Sequence, residues 1–591
     1  MRILGISDHI ISGAALLEDG VVTAAINEER LARKKMVMGF PRRSIQTVLE
    51  LAKLRPEQVD YVAVASKRGH FLNDYVDFDA GAFSISRGVV KEMFMSLGSR
   101  LSVLRDDIPV LERLYYDLRE PVYAHRRKAV RKVLKEEFDI RAPVEFIEHH
   151  FAHACSTFYS SGYQDALVVT MDASGDGSSS HVYQVKNKKW QLLHRVPSFD
   201  SLASYYAYVT HICGFRAGKH EGKITGLAAY GKDSYRDIVE KFICYRDGTV
   251  INRGKLFYKS ALKKIRQALP LDFSKKDLAA TIQLIAEEIA TRYIFHWLEK
   301  TKEHNVGLAG GLFANVKINQ RVHEIPGVRS VFVHPAMSDE GLAVGASLAL
   351  NYVKAPDPTA IGTRCFDHVY LGPSFTEAQV QRLLAVEGVK YQQHRWVEEE
   401  IARLLAEGYV VARFAGRMEY GPRALGNRSI LYRPDDPSVN DWLNRNLKRT
   451  EFMPFAPSTL ADDADKSFIG LEGAREAARY MTITFNCTER MRRECDGVVH
   501  VDNTARPQIV NKADNPDYYR ILESFKRQTG ISSIINTSFN IHEEPIVCTP
   551  EDAWRAFKIG RLDFLALGSF IAEHPQARIR ERTSALHSSL S

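Results

Sequence analysis

The feature that most constrains how this chain can fold is a strand pattern written twice. Ile3–Ile6 is apolar, a polar turn follows, Ala14–Leu17 is apolar again, and Asp19-Gly20 precedes the run Val21–Ile26. Asp-Gly between apolar runs signals a hairpin, because both residues tolerate the positive φ that a two-residue turn demands. The same order returns at Ala166–Met171, the loop Asp172-Ala-Ser-Gly-Asp-Gly177, His181–Val185, a Lys-Asn-Lys turn and Trp190–His194. Two such units predict an internal duplication. In each, a small-residue or glycine-rich bend follows the first strand, where backbone N–H groups can face phosphate oxygens.

A third cluster, Ala309-Gly310-Gly311-Leu-Phe-Ala-Asn315, follows the short strand Asn305–Leu308 and opens a helix. Glycine there lets the backbone approach a purine or ribose. Three clusters in this order are typical of actin-like ATPases and sugar kinases. The expected N-terminal fold is therefore α/β, an actin-like ATPase built from a duplicated ribonuclease H-like unit. The helical pattern of Leu342–Tyr352 ends in Ala-Pro-Asp-Pro358, and a strand-like segment, His368–Leu371, begins after it. This puts a domain boundary at about residues 355–370. Beyond it, strands at Tyr409–Ala415, Ser532–Asn536 and Phe564–Leu567 mix with helices at Thr376–Glu387 and Pro550–Ile559. The expected division is 1–360, 361–575 and a disordered tail, 576–591; 591 residues exceed what one core holds.

Eighty Lys+Arg against 72 Asp+Glu leave +8, a mild excess that suits anionic small substrates better than nucleic acid. The basic stretch His125–Lys135 reads as a solvated helix face, and Leu278–Lys300 as a core helix burying Ile282, Ile285, Ile289 and Tyr293. Seven scattered cysteines contain no C-x-x-C pair, which fits a reduced cytosol and no thiolate metal site. Asp8 interrupts the N-terminus before a signal-length apolar core, and no segment approaches the roughly 18 apolar residues of a membrane span. A cytoplasmic protein without a membrane partner is expected.

Two constellations carry chemistry. In Glu148-His149-His150-Phe151-Ala152-His153 the first and last of the three histidines are four apart, so one helix face presents His149 and His153 together. Asp172, where the second hairpin turns, and Asp339, after the strand Val331–Val333, are the further ligand candidates. Two imidazoles and two carboxylates suit Fe(II), Mn(II) or Zn(II), with positions left for substrate. In the phrase Gly416–Ser429, Arg417, Arg423 and Arg428 are spaced by Gly and Pro, which suggests a rigid anion clamp of guanidinium forks. Lys448, Arg449, Arg506, Asn536 and Asn540 are further polar anchors.

These phrases resemble the O-carbamoyltransferase family of nodulation, cephamycin and aminoglycoside-type enzymes. The match runs in order through Asn27–Leu31, Glu148–Ala154, Glu221-Gly-Lys-Ile-Thr-Gly-Leu-Ala-Ala-Tyr-Gly231, Ala309–Asn315, Gly416–Ser429, Pro454–Pro457 and Asn536-Thr-Ser-Phe-Asn-Ile-His-Glu-Glu-Pro-Ile546. The resemblance implies an actin-like N-terminal domain followed by a YrdC-like C-terminal domain. It further implies that carbamoyl phosphate and ATP, with Mg(II), give carbamoyl adenylate and pyrophosphate. The carbamoyl group then passes to a hydroxyl of a small acceptor, a sugar or natural product.

By the same resemblance, Arg423, Arg506 and Asn536 hold phosphate and carbamoyl groups, and His149, His153, Asp172 and Asp339 hold the metal. Gly310, Gly311 and Asn315 lie along the nucleotide, and Lys223, Arg428, Lys448 and Arg449 are further cofactor contacts. Two positions depart from the pattern. The usual histidine of the first hairpin falls at Ile10, with His9 beside it as the candidate replacement base, and Met453 stands where a phosphate arginine is usual. Alternative readings are an RNA-modifying carbamoyl transferase and a nucleotide-binding regulator without turnover. A homodimer is left open.

Overall fold

The structure, a computed structural model, describes residues 1–76, 117–448 and 452–574. Arg449 and the tail expected at 576–591 lie outside the described residues.

Both repeated patterns fold into hairpins for the same local reason. Asp19 (φ +48°) and Gly20 (φ +86°) turn the chain between strands Gly13–Glu18 and Val21–Asn27. Asn187 (φ +48°) and Lys188 (φ +60°) do so between Ser178–Lys186 and Lys189–Pro197. Two successive positive φ values match the twist of the flanking strands. The first sheet has the order Val21–Asn27, Gly13–Glu18, Arg2–Ser7, Tyr61–Ala65, Val144–Ile147. The second has the order Lys189–Pro197, Ser178–Lys186, Ala166–Gly175, Asn305–Ala309, Ser330–Val333. Each runs antiparallel through its first three strands and parallel through the rest, so the duplication is one of topology as well as of pattern.

Helix His149–Ser161 packs on the second sheet, helix Leu342–Lys354 on the first, and the two helices pack on each other. Gly345 permits that approach: a Cβ there would lie 2.0 Å from the Ala152 carbonyl oxygen. The helix pair and the inner faces of both sheets share one apolar core containing Ala152, Phe158, Val168 and Leu348. This is what places the N-terminal turn of His149–Ser161 at the sheet ends, where loops can meet it.

A third, eight-stranded sheet draws its strands from residues 391–573, with Arg428–Tyr432, Ser533–Ser538 and Ala456–Leu460 as consecutive neighbours. Helices Val397–Ala406 and Pro516–Thr529 bury Ile401, Leu405, Ile521 and Phe525 beside it, while Leu384, Leu443 and Phe557 enter a separate core. The two parts of the chain touch at several points. Arg30 donates to the Gly421 carbonyl at 2.8 Å, Arg33 pairs with Asp552 at 3.1 Å, and Asn319 donates to the Thr482 carbonyl at 2.7 Å.

Two sequence expectations are corrected. His368–Leu371 is not a strand: Leu371 N–H bonds back to the Val369 carbonyl at 2.9 Å, and that local turn breaks any ladder. The basic helix, Glu120–Phe138, is not a uniformly solvated face, because Arg126 points inward with Tyr123, Val130 and Leu134 and is fully buried. The core helix runs Lys275–Thr301 and buries Ile282, Ile285, Ile289 and Tyr293 as expected, but Glu287 is buried with them, accepting from Gln283 at 2.8 Å. All seven cysteines are free thiols, and among the described residues no helix is long and apolar enough to cross a membrane.

Candidate functional site

His149 and His153 lie one turn apart at the start of helix His149–Ser161. Glu148 caps that turn, its Oε2 accepting the Phe151 N–H at 2.7 Å. Asp172 enters from strand Ala166–Gly175 and Asp339 from the short turn Asp339–Gly341 that leads into helix Leu342–Lys354. Their four donor atoms lie within 4.8 Å of one another. His153 Nε2 stands 3.3 Å from Asp172 Oδ2 and 3.4 Å from Asp339 Oδ1, while His149 Nε2 is 3.8 Å from each. Two donors about 2.1 Å from a shared ion at a tetrahedral angle stand about 3.4 Å apart, so this spacing fits one cation. Nε2 of both histidines and Oδ1 of Asp339 are buried without a hydrogen-bond partner, which costs about 1–3 kcal/mol per group and which coordination would offset.

Electrostatics reinforce the cluster. Burial opposes charge on His149, but Asp172 and Asp339 outweigh it and push its pKa up to about 9. The His153 pKa is raised against burial by the same carboxylates. Burial disfavours the Asp172 carboxylate, yet His149 and His153 hold its pKa well below the usual range. The ligands are themselves held. Ser66 Oγ is 3.1 Å from His149 Nδ1, the His149 main-chain N–H donates to Asp176 Oδ2 at 2.9 Å, and the Gly311 N–H donates to Asp172 Oδ2 at 3.1 Å. Such contacts orient a ligand and set its tautomer.

The supporting loop is organised by Arg126, which sequence reasoning assigned to solvent. Its guanidinium donates to Asp8 Oδ2 at 2.9 Å, to the Ser66 carbonyl at 2.8 Å and to the Ala65 carbonyl at 3.0 Å. His9 follows Asp8 directly and its Nε2 is buried without a hydrogen-bond partner. Burial, then Arg126 and His149, lower its pKa. The same hairpin holds Ile11 at φ +57°, a strained conformation for a β-branched residue.

The glycine turn supports the cluster. Gly310, at φ +104°, lies against Met171, where a Cβ would come within 2.3 Å of the carbonyl oxygen, and its tight bend aims the Gly311 N–H at Asp172. Asn315 is less open than expected. Its Oδ1 caps helix Val316–His323 through Lys317 and Ile318 N–H, each at 3.2 Å, and its Nδ2 donates to Gln283 at 2.8 Å. Lys223 is buried in helix Glu221–Ala228, its Nζ 5.9 Å from the centre of the Phe215 ring.

In the C-terminal part, two of the three arginines expected to form a clamp contact main-chain carbonyls. Arg428 is fully buried, lies 3.7 Å over the Phe414 ring and donates to the Ala415 and Asn427 carbonyls at 2.6 and 3.0 Å. Arg417 donates to the Leu371, Gly372 and Thr23 carbonyls. These contacts hold the loop in place, while Arg428 Nε is buried without a hydrogen-bond partner. Arg423 sits half-buried on that loop, whose bend is gathered by Glu419 Oε1 accepting the N–H groups of Leu425, Asn427 and Arg428 at 2.9, 2.7 and 3.1 Å.

Asn536 joins this loop to the region of Arg506. Its Nδ2 donates to the Ala424 carbonyl at 3.2 Å and to Gln508 Oε1 at 2.8 Å, leaving its buried Oδ1 without a donor. Arg506 is half-buried two residues before Gln508, and Lys448 is exposed. Sequence reasoning missed Glu419, Gln508, Ser66, Asp176 and Arg126. Glu419, Asp176 and Arg126 lay inside stretches already singled out, and Ser66 gave no local signal.

Residues 2–348 match the description Carbamoyltransferase N-terminus and residues 402–574 match Carbamoyltransferase C-terminus. A protein of Synechocystis sp. described as uncharacterized is 31% identical, with 96% of each chain covered. Nodulation protein NolNO of Sinorhizobium fredii is 32% identical over 97% of this chain and 79% of its own. The 3'-hydroxymethylcephem-O-carbamoyltransferase of Amycolatopsis lactamdurans is 29% identical over 55% of this chain and 59% of its own. Among solved structures, full-length HypF in its phosphate- and nucleotide-bound form is similar at a TM-score of 0.32 and 12% identity, covering 60% of this chain. This chain spans about half of that structure, 47%, and a likeness of that degree assigns no fold. The four clustered donors fall in the first matched region and Arg423, Arg506 and Asn536 in the second, and on these matches the chain belongs to the carbamoyltransferase family, enzymes that transfer carbamoyl groups.

Proposed function

We propose that this enzyme converts carbamoyl phosphate and ATP, the latter with Mg(II), into carbamoyl adenylate and pyrophosphate, and then transfers the carbamoyl group to a hydroxyl of a small molecule. The observation that carries this reading is the four-donor cluster of His149, His153, Asp172 and Asp339 in a chain whose two ends both match the family. A division at about residue 360, between an actin-like ATPase unit and a YrdC-like unit, accompanies the proposal. The repeated five-strand order supports the first of these.

The donor reaction is assigned to the C-terminal part. Arg423 and Arg506 supply guanidinium donors to the phosphoryl oxygens, where charge-assisted bonds align the reacting groups. Asn536 Oδ1, which accepts nothing from the protein, is placed to accept from the carbamoyl amide. Glu419 keeps the Arg423 loop in one bend while this happens.

The transfer step is assigned to the N-terminal part. His149, His153, Asp172 and Asp339 hold one divalent cation, Fe(II), Mn(II) or Zn(II), which when bound supplies Lewis acidity at a carbamoyl carbonyl. The Gly311 N–H fixes Asp172, and Ser66 and Asp176 fix His149. His9, kept neutral by burial and Arg126, is the group assigned to take the acceptor hydroxyl proton at Nε2.

Carbamoyl-phosphate-dependent release of pyrophosphate from ATP tests the donor step. Release is expected from the parent protein and is expected to fall at least a hundredfold in Arg423→Ala. Equal release by both proteins excludes the role given to Arg423, and no release by the parent protein excludes the donor reaction.

A further inference from the structure

Two glycines each seat an imidazole of the transfer site. A Cβ on Gly175 would lie 2.0 Å from His149 Cδ2 and 2.2 Å from its Cγ, so the His149 ring rests directly on the turn of the second hairpin. A Cβ on Gly69 would lie 2.5 Å from His9 Cε1 and 2.9 Å from its Nε2, so the loop after strand Tyr61–Ala65 covers the His9 ring in the same way. Only the absence of a side chain at 69 and 175 leaves these rings their places.

One carboxylate ties the two seats together. Asp176 follows Gly175 at the hairpin turn. Its Oδ1 accepts the Arg68 N–H at 2.7 Å, and its Oδ2 accepts the Lys67 N–H at 2.8 Å and the His149 main-chain N–H at 2.9 Å. The Arg68 guanidinium returns the contact by donating to the Asp176 carbonyl at 2.9 Å. A charged acceptor makes each of these bonds stronger than a neutral one would. The loop is also supported from its other side, where Arg126 donates to the Ala65 and Ser66 carbonyls. Ser66 enters it at φ +68°, a conformation that strains a residue with a Cβ, so contacts rather than local preference hold the bend.

We propose that Asp176 is a positioning residue that holds His9 and His149 in one fixed arrangement, with Gly69 and Gly175 as the seats of the two rings. The consequence is that the group taking the acceptor proton and the ligand set of the cation address the same hydroxyl and carbonyl. This rests on the roles given above to His9 and to the four-donor cluster. Asp176 touches neither substrate nor cation in this role; it acts through the loop that covers one imidazole and through the main chain of the other. Geometry of this kind matters because a misplacement of about 1 Å between reacting groups costs about a hundredfold in rate.

The test uses the full chain in two forms. One is chelated and titrated with Zn(II); the other carries isotope-labelled histidine rings, with the Cε1–H resonances of His9 and His149 assigned by their loss in His9→Gln and His149→Gln. Asp176→Ala is expected to weaken Zn(II) binding about ten- to a hundredfold and to move both resonances in the folded protein. Movement of only one resonance, or of neither, overturns the joint role, as does Zn(II) binding equal to the parent's. Gly69→Ala is expected to move the His9 resonance, and a His9 resonance at the parent position removes the seat on which the proposal depends. Loss of stability alone would move neither resonance of the folded state. Glycine suits the φ of +50° at position 176, so Asp176→Gly decides the matter if the alanine variant fails to fold. Neither readout needs turnover. An inactive parent protein would sink the roles given to His9 and the cluster, whereas unmoved resonances would sink the positioning role alone.

Discussion

Arg126 Nε and Asp8 Oδ2 lie 2.9 Å apart in a place where neither side chain reaches solvent. The pair joins helix Glu120–Phe138 to the end of strand Arg2–Ser7, and through the Ser66 carbonyl it reaches the residue that contacts His149. Burial raises the Asp8 pKa, but Arg126 outweighs it and holds the carboxyl below the usual range.

Removing one partner of a buried pair strands the other charge. Arg126→Met is therefore expected to destabilise the protein by about 3–5 kcal/mol. Adding Asp8→Asn removes the stranded charge and is expected to recover a large part of that loss. Urea unfolding of the two single variants and the double variant measures the coupling. Additive effects would show that the pair is not the unit that holds this loop.

The metal cluster makes a sharper prediction, because the donors come from three separate elements. His153→Ala removes the one imidazole that stands within 3.4 Å of both carboxylates. Bound metal is expected to drop at least tenfold by elemental analysis, and transfer to acceptor is expected to stop. Pyrophosphate release from ATP is expected to continue, since Arg423, Arg506 and Asn536 are untouched. Unchanged metal content would remove the ligand set.

Much of this arrangement was legible because its causes are local. Asp19, Gly20 and Asn187 turn the hairpins through their own tolerance of positive φ, and His149 and His153 share a helix face whatever surrounds them. Asp172 and Asp339 could be picked out because each comes after an apolar run, Ala166–Met171 and Val331–Val333, near a sheet end. Arg126 was hidden because its partner, Asp8, is 118 positions away, and a run of basic residues looks alike whether one of them faces in or out. The surroundings of Arg428 were hidden for a related reason: only the folded loop shows that its two amino nitrogens meet main-chain carbonyls. Asn315 was legible in principle, since an Asn before a helical run is an N-cap signal, but the glycines beside it drew the nucleotide reading.

The cluster also fixes a pH response for the metal-free protein. The His149 pKa rises from 6.5 unfolded to about 9 folded, so the folded state binds the proton more tightly. That contribution to stability is fully present below about pH 6.5 and is lost as pH rises through about 9. Chelated protein is expected to melt at lower temperature at pH 9.5 than at pH 6, and His149→Gln is expected to flatten this difference. A chelated His149→Gln protein with the parent's slope would assign the response to other groups.

The last prediction concerns the bend that presents Arg423. Glu419 Oε1 accepts three N–H groups from Leu425, Asn427 and Arg428, and the side chain is buried, so one carboxylate replaces the hydration of three backbone donors. Glu419→Gln keeps the shape and one oxygen but removes the charge that strengthens these bonds, and its amide donor needs a new acceptor in a buried site. A loss of about 1–3 kcal/mol is expected. Because Arg423 rides on the same bend, the cost is expected to fall on the donor reaction first. Pyrophosphate release should drop about ten- to a hundredfold, with metal content and the N-terminal cluster unchanged. A variant that lost stability but released pyrophosphate at the parent rate would show that the bend is scaffold only, and that Arg423 does not depend on it.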